Sequence, residues 1–178
     1  MLDWLNETIS VETLVWLFPI AFLIHDFEEI IFVETWFKRN YNKVEPLVPH
    51  RMKGLFQVMS KTTAARFSIP VFMQFILYIV ACFIAIEGNY FPLFVGLNVV
   101  FFLHIFAHIG QSVFLKTYAL GVGTAVVISF PYSVYLFYRL IDEQIIQFAD
   151  LFYTIPYGAI TAFIVWAGHE IAPKIIPD

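Results

Sequence analysis

The stretch His25-Asp26-Phe27-Glu28-Glu29 places four ionisable side chains inside an apolar segment. On an α-helix, Glu28 and Glu29 lie on either side of His25 while Asp26 points away, so one face carries an imidazole and two carboxylates. A charged carboxylate near the centre of a membrane-spanning helix costs about 2.5 to 3.5 kcal/mol. A cation, a proton or a water-filled cavity must offset that cost, which makes this stretch a candidate functional site.

A second polar group lies further along the chain. His104 and His108 stand one helical turn apart, and Gln111 follows three residues later on the same side. Two imidazoles at this spacing are typical of a metal site on one helix, and His169 lies near the end of the last apolar segment. A mixed set of His and Glu ligands suits Zn²⁺, or Fe and Mn, and does not suit Ca²⁺ or Mg²⁺. The predicted metal ligands are His25, Glu28, Glu29, His104, His108 and His169.

The site also needs a catalytic base and hydrogen-bond partners for the metal ligands. Whichever of Glu28 and Glu29 is not a ligand is the candidate catalytic base. Asn98 and Gln111 could accept the second N–H of a metal-bound imidazole, as carboxylates and carbonyls commonly do. The competing interpretation is a metal-free polar network that fixes helix packing, with the carboxylates protonated or paired to imidazolium.

The composition indicates a membrane protein, because 60% of the 178 residues are hydrophobic and only 13% are charged. Residues 67–86, 88–115, 119–138 and 151–168 each form a stretch of at least 18 residues without Asp, Glu, Lys or Arg, long enough to span a bilayer. The prediction is an all-α, polytopic membrane helical bundle in a single domain, 1–178. It has about five transmembrane helices at roughly 11–35, 67–87, 90–115, 119–139 and 148–169, with a cytoplasmic loop at 38–66.

The basic residues predict the orientation. With the N-terminus outside and the C-terminus inside, nine of the ten Lys and Arg residues lie on the cytoplasmic side, and Arg139 alone lies outside. The positive-inside rule therefore favours this topology over its reverse.

The helical rise places the two polar groups at matching depths. With 1.5 Å per residue, His25 and His104 lie roughly 18 to 20 Å from the outer surface, and Glu29 and His108 roughly 24 to 26 Å. Both helices run in the same direction, so we expect the spans that carry His25 and His108 to touch in the cytoplasmic half of the membrane.

These residues also carry a resemblance to a known family. The chain resembles the HXXEE-motif family of small bacterial and archaeal membrane proteins through His25-x-x-Glu28-Glu29, Asn98, His108 and Tyr118-Ala119-Leu120-Gly121. The resemblance covers roughly 24–124 and departs from the family pattern at Leu120, where the family has Pro. It implies a prokaryotic plasma-membrane protein in which His108 corresponds to the family's later histidine, and it implies no activity.

The functional expectation is an integral membrane metalloprotein, with a metal-dependent enzyme of hydrolase type acting on a lipid or amphiphile as the leading interpretation. A proton or cation relay, transporter or small-ligand binder is the second. A haem protein using two of His25, His104 and His108 as axial ligands is the third. The expected partners are membrane lipid and an amphiphilic small molecule, with no nucleic acid.

Overall fold

The computed structural model describes residues 2–177. Met1 and Asp178, the two ends of the predicted domain 1–178, lie outside the described residues. The described chain is an all-α membrane bundle, as the sequence predicts. Its helices, numbered here in chain order, are α1 (Leu2–Thr8), α2 (Val11–Val44), α3 (Lys53–Met59), α4 (Ala64–Glu87), α5 (Pro92–Leu115), α6 (Val122–Asp142) and α7 (Asp150–Ile175).

Four helices of the described chain are long and apolar enough to cross a membrane, close to the five that the sequence predicts. They are α4, α5, α6 and α7. The predicted first span lies in α2, which has 34 residues but carries the acidic cluster in its middle and basic residues in its last turns. Helix α2 also continues to Val44 instead of ending near residue 35, so the predicted loop 38–66 begins with helix.

Helix α2 is anchored at both ends. Ser10 caps its first turn by accepting a hydrogen bond from the Thr13 amide at 3.1 Å. Near its other end, Trp36 donates to the Tyr118 carbonyl at 2.6 Å and Lys43 donates to the Lys116 carbonyl at 2.8 Å. These bonds hold α2 beside the short connection between α5 and α6, and so place the acidic cluster against the start of α6.

Close helix contacts set the rest of the frame. Helix α7 packs against α4 and α5, and α2 packs against α4. At Gly96 of α5 and Gly158 of α7, an added Cβ would overlap the backbone of the other helix, and at Gly168 it would meet Pro70 of α4 at 2.5 Å. Small residues let membrane helices approach this closely.

Aromatic side chains close the bundle on the N-terminal side of His25. Phe18 stacks on Tyr78 with ring centroids 4.4 Å apart and meets Phe94 edge to face at 5.6 Å. Phe22, one turn before His25, packs on the same Tyr78 ring at 4.7 Å. The interior on the N-terminal side of His25 is therefore filled with side chains. Open space lies on the other side of His25, toward the C-terminal half of α2.

Candidate metal centre

The structure brings together three of the four histidines predicted as metal ligands, namely His25, His104 and His108. The ring of His25 on α2 lies 4.9 Å from that of His108 and 5.6 Å from that of His104, measured between centroids. The two rings on α5 are 4.2 Å apart. The predicted contact between the helices carrying His25 and His108 is confirmed.

Glu29 joins these histidines to make a group of four. Its Oε1 lies 3.3 Å from Nε2 of His108, and one possible ligand atom from each of His25, Glu29, His104 and His108 lies within 4.8 Å of the other three. His25 and His108 are buried. A carboxylate enclosed in this way needs a proton or a positive partner, because burying an unpaired charge is very costly.

The four ligand atoms lie within 4.8 Å of one another, so they reach the ligand spacing of a metal ion after side-chain movements of up to about 1 Å. With Zn²⁺ bonds of about 2.0 to 2.2 Å, neighbouring ligand atoms in a tetrahedron are separated by about 3.3 to 3.6 Å. The Glu29–His108 separation of 3.3 Å already matches. His104 Nε2 and His108 Nε2 are 2.7 Å apart, a hydrogen-bond distance that would have to widen slightly. The group could therefore hold a metal ion.

Thr124, at the start of α6, links His25 to Glu28. Its hydroxyl lies 2.6 Å from Oε2 of Glu28 and 3.1 Å from Nδ1 of His25. A hydroxyl has a single proton, and Thr124 donates it in the hydrogen bond to the ionised Glu28 carboxylate. The hydroxyl oxygen is then left to accept from His25 Nδ1–H. The imidazole is then held with Nε2 unprotonated and free to bind a metal, in the way that partners of metal-binding histidines fix the tautomer.

Glu28 has hydrogen-bond donors on both carboxylate oxygens. Oε2 also accepts from the Thr124 amide at 2.8 Å, and Oε1 accepts from the Tyr118 hydroxyl. The same hydroxyl accepts from the Gly123 amide at 3.0 Å. Glu28 was predicted as a ligand and as a base; the structure places it outside the group of four, against the first turn of α6, where a carboxylate is favoured by the helix dipole.

Gly121 lies directly against the group of four. Its φ is +83°, in the left-handed region that favours glycine. An added Cβ would meet Glu29 Oε1 at 2.6 Å, His108 Cε1 at 2.8 Å and His25 Cε1 at 3.0 Å. The connection between α5 and α6 thus covers the group with backbone, which only a residue without a side chain permits.

Three other predicted residues lie around this centre. His169 of α7 borders the same cavities as Glu29 and His104 and packs against Phe67, but it is outside the group of four. Asn98 is buried and donates to the Phe94 carbonyl of its own helix at 2.9 Å, and Gln111 borders the larger cavity. The ligand role of His169 and the supporting roles of Asn98 and Gln111 stay predictions.

Two cavities meet at the group of four. The larger, about 620 Å³, is bordered by Glu29, His104 and His108 and otherwise mostly by apolar side chains of α2, α3 and α5. The smaller, about 150 Å³, is bordered by Glu29 and His104 together with polar residues of α2, α4 and α7, namely Asp26, Gln74, Tyr78, Thr161 and His169. His104 borders both cavities, which accounts for its exposed surface in the middle of α5.

The six ligands predicted from sequence include the group of four together with Glu28 and His169, but sequence reasoning missed Thr124. Its hydrogen bonds join residues 99 and 96 positions apart, and no local pattern indicates such a pairing. The sequence analysis named Gly121 only as the last residue of the Tyr118-Ala119-Leu120-Gly121 stretch, and that pattern does not explain why the residue is glycine.

Comparison with known proteins supports the resemblance seen in the motif. A family model described as "Protein of unknown function with HXXEE motif" matches residues 16–136, more than half of the chain. No curated protein and no solved structure gives a significant match. The matched region contains the group of four, Glu28, Gly121 and Thr124. The chain therefore belongs to the family of proteins of unknown function that carry the HXXEE motif.

Proposed function

We propose that this integral membrane protein is a metalloprotein that binds a divalent transition metal through His25, Glu29, His104 and His108. The observation that carries the proposal is the mutual approach of the four ligand atoms to within 4.8 Å, from two helices. Three imidazoles and one carboxylate form a set that suits Zn²⁺ best, with Fe or Mn as the alternatives.

Charge balance favours a bound cation over a metal-free polar network. Three neutral imidazoles, the Glu29 carboxylate and the neighbouring ionised Glu28 carboxylate carry a net charge of −2, which a divalent metal brings to 0. Binding would thereby offset the insertion cost of the Glu29 carboxylate, about 2.5 to 3.5 kcal/mol. Thr124 and Glu28 support the same interpretation, because they fix the His25 tautomer that leaves Nε2 available.

The proposed activity is that of a metal-dependent hydrolase acting on a lipid or another amphiphile. Support comes from the position of the group of four beside an apolar cavity of about 620 Å³, within the size range of small-molecule sites. A metal there would polarise a carbonyl or lower the pKa of a bound water. Glu29, 3.3 Å from His108, is a ligand in this proposal, which leaves Glu28 as the candidate general base. Glu28 also orients His25 through Thr124.

The second candidate function is a proton or cation relay. It is favoured by the smaller cavity, which joins Asp26, Gln74, Tyr78 and Thr161 to the group of four and could hold water. The haem alternative is disfavoured by geometry. The His104 and His108 nitrogens are 2.7 Å apart, and the His25 ring is 4.9 Å from the His108 ring and 5.6 Å from the His104 ring, so none of the three pairs has room for a porphyrin between its members.

Elemental analysis of the purified protein tests the metal proposal. Protein prepared without added metal should contain about one metal ion per chain, and His25→Ala and His108→Ala should each lose it while remaining folded. His50→Ala is the matched control, since His50 lies in the segment between α2 and α3 and is outside the group of four. Metal-free wild-type protein whose thermal stability is unchanged by chelation would refute the proposal and favour the polar network.

A further inference from the structure

The larger cavity is bordered by residues along the C-terminal halves of two helices, α2 and α5. We refer to it as the chamber: the 620 Å³ space that runs from His104 and His108 to Val44, Leu55 and Leu115. From residue 29 to residue 44 the rise of α2 is roughly 22 Å, and from residue 104 to residue 115 the rise of α5 is roughly 16 Å. One leaflet of a bilayer is about 15 Å of hydrocarbon. The chamber is therefore about as long as one extended acyl chain.

The polar groups of the chamber are concentrated at one end. Glu29, His104, His108 and His169 border it there, and Gln111 follows about one turn farther along α5. The rest of the wall along α2 and α5 is mostly apolar, as at Val33, Phe37 and Phe114. The one indole in the wall, that of Trp36, already donates to a backbone carbonyl. A ligand that fits this distribution has a long apolar part and one polar end.

The charged residues around the chamber restrict which chemical group the polar end of the ligand can be. Among the described residues that border the chamber there is no Lys or Arg, and the carboxylates of Glu28 and Glu29 already balance the charge of a divalent metal. No positive charge is therefore left over to hold a phosphate or a free carboxylate. An uncharged end group, such as an alcohol or the carbonyl of an ester or amide, fits better. The volume also lies within the range of pockets for one small molecule, which favours a single chain over a two-chain phospholipid.

Helix α3 closes the far end of the chamber. The Phe56 ring packs on Phe37 and on Tyr41, with centroids 5.4 Å apart in each case. Lys53 forms an ion pair with Glu45 at 2.8 Å. These contacts hold the apolar side of α3 against the end of α2, so that Leu55 and Phe56 form part of the wall.

We propose that the chamber binds a single-chain amphiphile, with a long alkyl or acyl chain along α2 and α5 and an uncharged polar end at His104, His108 and Glu29. This names the substrate class of the proposed enzyme, and it rests on that proposed function for the role of the polar end. The chain site itself rests on the length, wall chemistry and closure of the chamber.

Photo-crosslinking of the full-length protein in nanodiscs tests this site. The probe is hexadecanol carrying a diazirine on its chain, and the metal content of each sample is measured in parallel. We expect saturable cross-links within residues 52–59 and 110–115. Unlabelled hexadecanol should displace the probe, and the charged palmitate should do so at least about tenfold less well.

Two glycines provide a matched pair of variants. A Cβ added at Gly110 or at Gly54 meets nothing within 4 Å, so both positions accept a larger side chain, but only Gly110 borders the chamber. Gly110→Trp should reduce saturable labelling at least about tenfold, because its indole takes the space of the chain. Gly54→Trp should leave labelling unchanged, and Leu55→Trp, which borders the chamber from α3, should act like Gly110→Trp.

The outcomes separate this inference from the metal proposal. Metal-containing protein that shows no saturable labelling, or labelling that neither Gly110→Trp nor Leu55→Trp reduces, would overturn the chain site and leave the metal site standing. Metal-free protein with saturable labelling that both variants reduce would support the chain site and overturn the metal. Equal displacement by palmitate and hexadecanol would overturn the uncharged end group.

Discussion

Replacing Thr124 with Val should weaken metal binding while largely preserving the fold. The substitution keeps the shape of the side chain but removes the hydroxyl that lies 3.1 Å from His25 Nδ1 and 2.6 Å from Glu28 Oε2. Hydrogen bonds to charged groups contribute about 1.5 to 3 kcal/mol. Loss of the partner of a metal-binding histidine typically costs about 10- to 100-fold in metal affinity, or about 1.4 to 2.7 kcal/mol, so the two estimates agree.

The assay is competition for Zn²⁺ between the purified protein and a chelator of known affinity, with thermal unfolding of the metal-free protein measured beside it. Glu28 keeps its bonds from the Thr124 amide and the Tyr118 hydroxyl, so the metal-free variant should remain folded. Thr124→Ser, which retains the hydroxyl, should bind zinc within about threefold of wild type. Unchanged zinc affinity in Thr124→Val would refute the positioning role of this hydroxyl.

Three further predictions concern Gly121, the Tyr118 hydroxyl and the membrane topology. Gly121→Ala should lose the metal and about 1 to 3 kcal/mol of stability in an unfolding assay, because the Cβ would be strained at φ +83° and would meet Glu29 and two histidine rings. The control is Gly54→Ala, which should be neutral or slightly stabilising in the same assay. Burial raises the pKa of Tyr118, and its hydrogen bond to Glu28 raises it further. The stabilisation that this hydrogen bond gives the folded protein is therefore complete below the ordinary tyrosine pKa of about 10, and it is lost as pH rises through the higher pKa of the folded state. Tyr118→Phe should accordingly show a shallower fall of melting temperature above about pH 10 than wild type, and an equally steep fall would contradict this account. A reporter fused to the C-terminus should be active only in the cytoplasm, and activity only on the external face would overturn the predicted orientation.

The height of each residue in the bundle was predictable from sequence. Helical rise alone puts His25 level with His104, and Glu29 level with His108, and their rings and ligand atoms do meet. The apolar lengths of α4 to α7 likewise predict four of the spans. Hydropathy cannot fix where α2 ends, because its last turns are held by side chains that bond carbonyls of the α5–α6 connection, as Lys43 does with Lys116.

The rotation of each helix about its axis was not predictable, and it determines the roles of the two glutamates. Glu28 and Glu29 are separated by about 100° on α2, so they face different neighbours. In the structure Glu29 faces His108 of α5 and Glu28 faces Thr124 of α6. A single sequence shows that both carboxylates are near the site, but only the packing of α6 shows which of them approaches the histidines.

X-ray absorption spectroscopy on the metal in the purified protein tests the central claim most directly, since that claim assigns the metal to His25, Glu29, His104 and His108. Coordination by these four residues predicts nitrogen and oxygen neighbours at about 2.0 to 2.2 Å with the multiple scattering of imidazole, and no sulfur neighbour at about 2.3 Å. The imidazole signal should decrease in His104→Ala protein that retains metal. A sulfur neighbour, which would point to Cys82, or a metal surrounded by water with no imidazole signal, would contradict it.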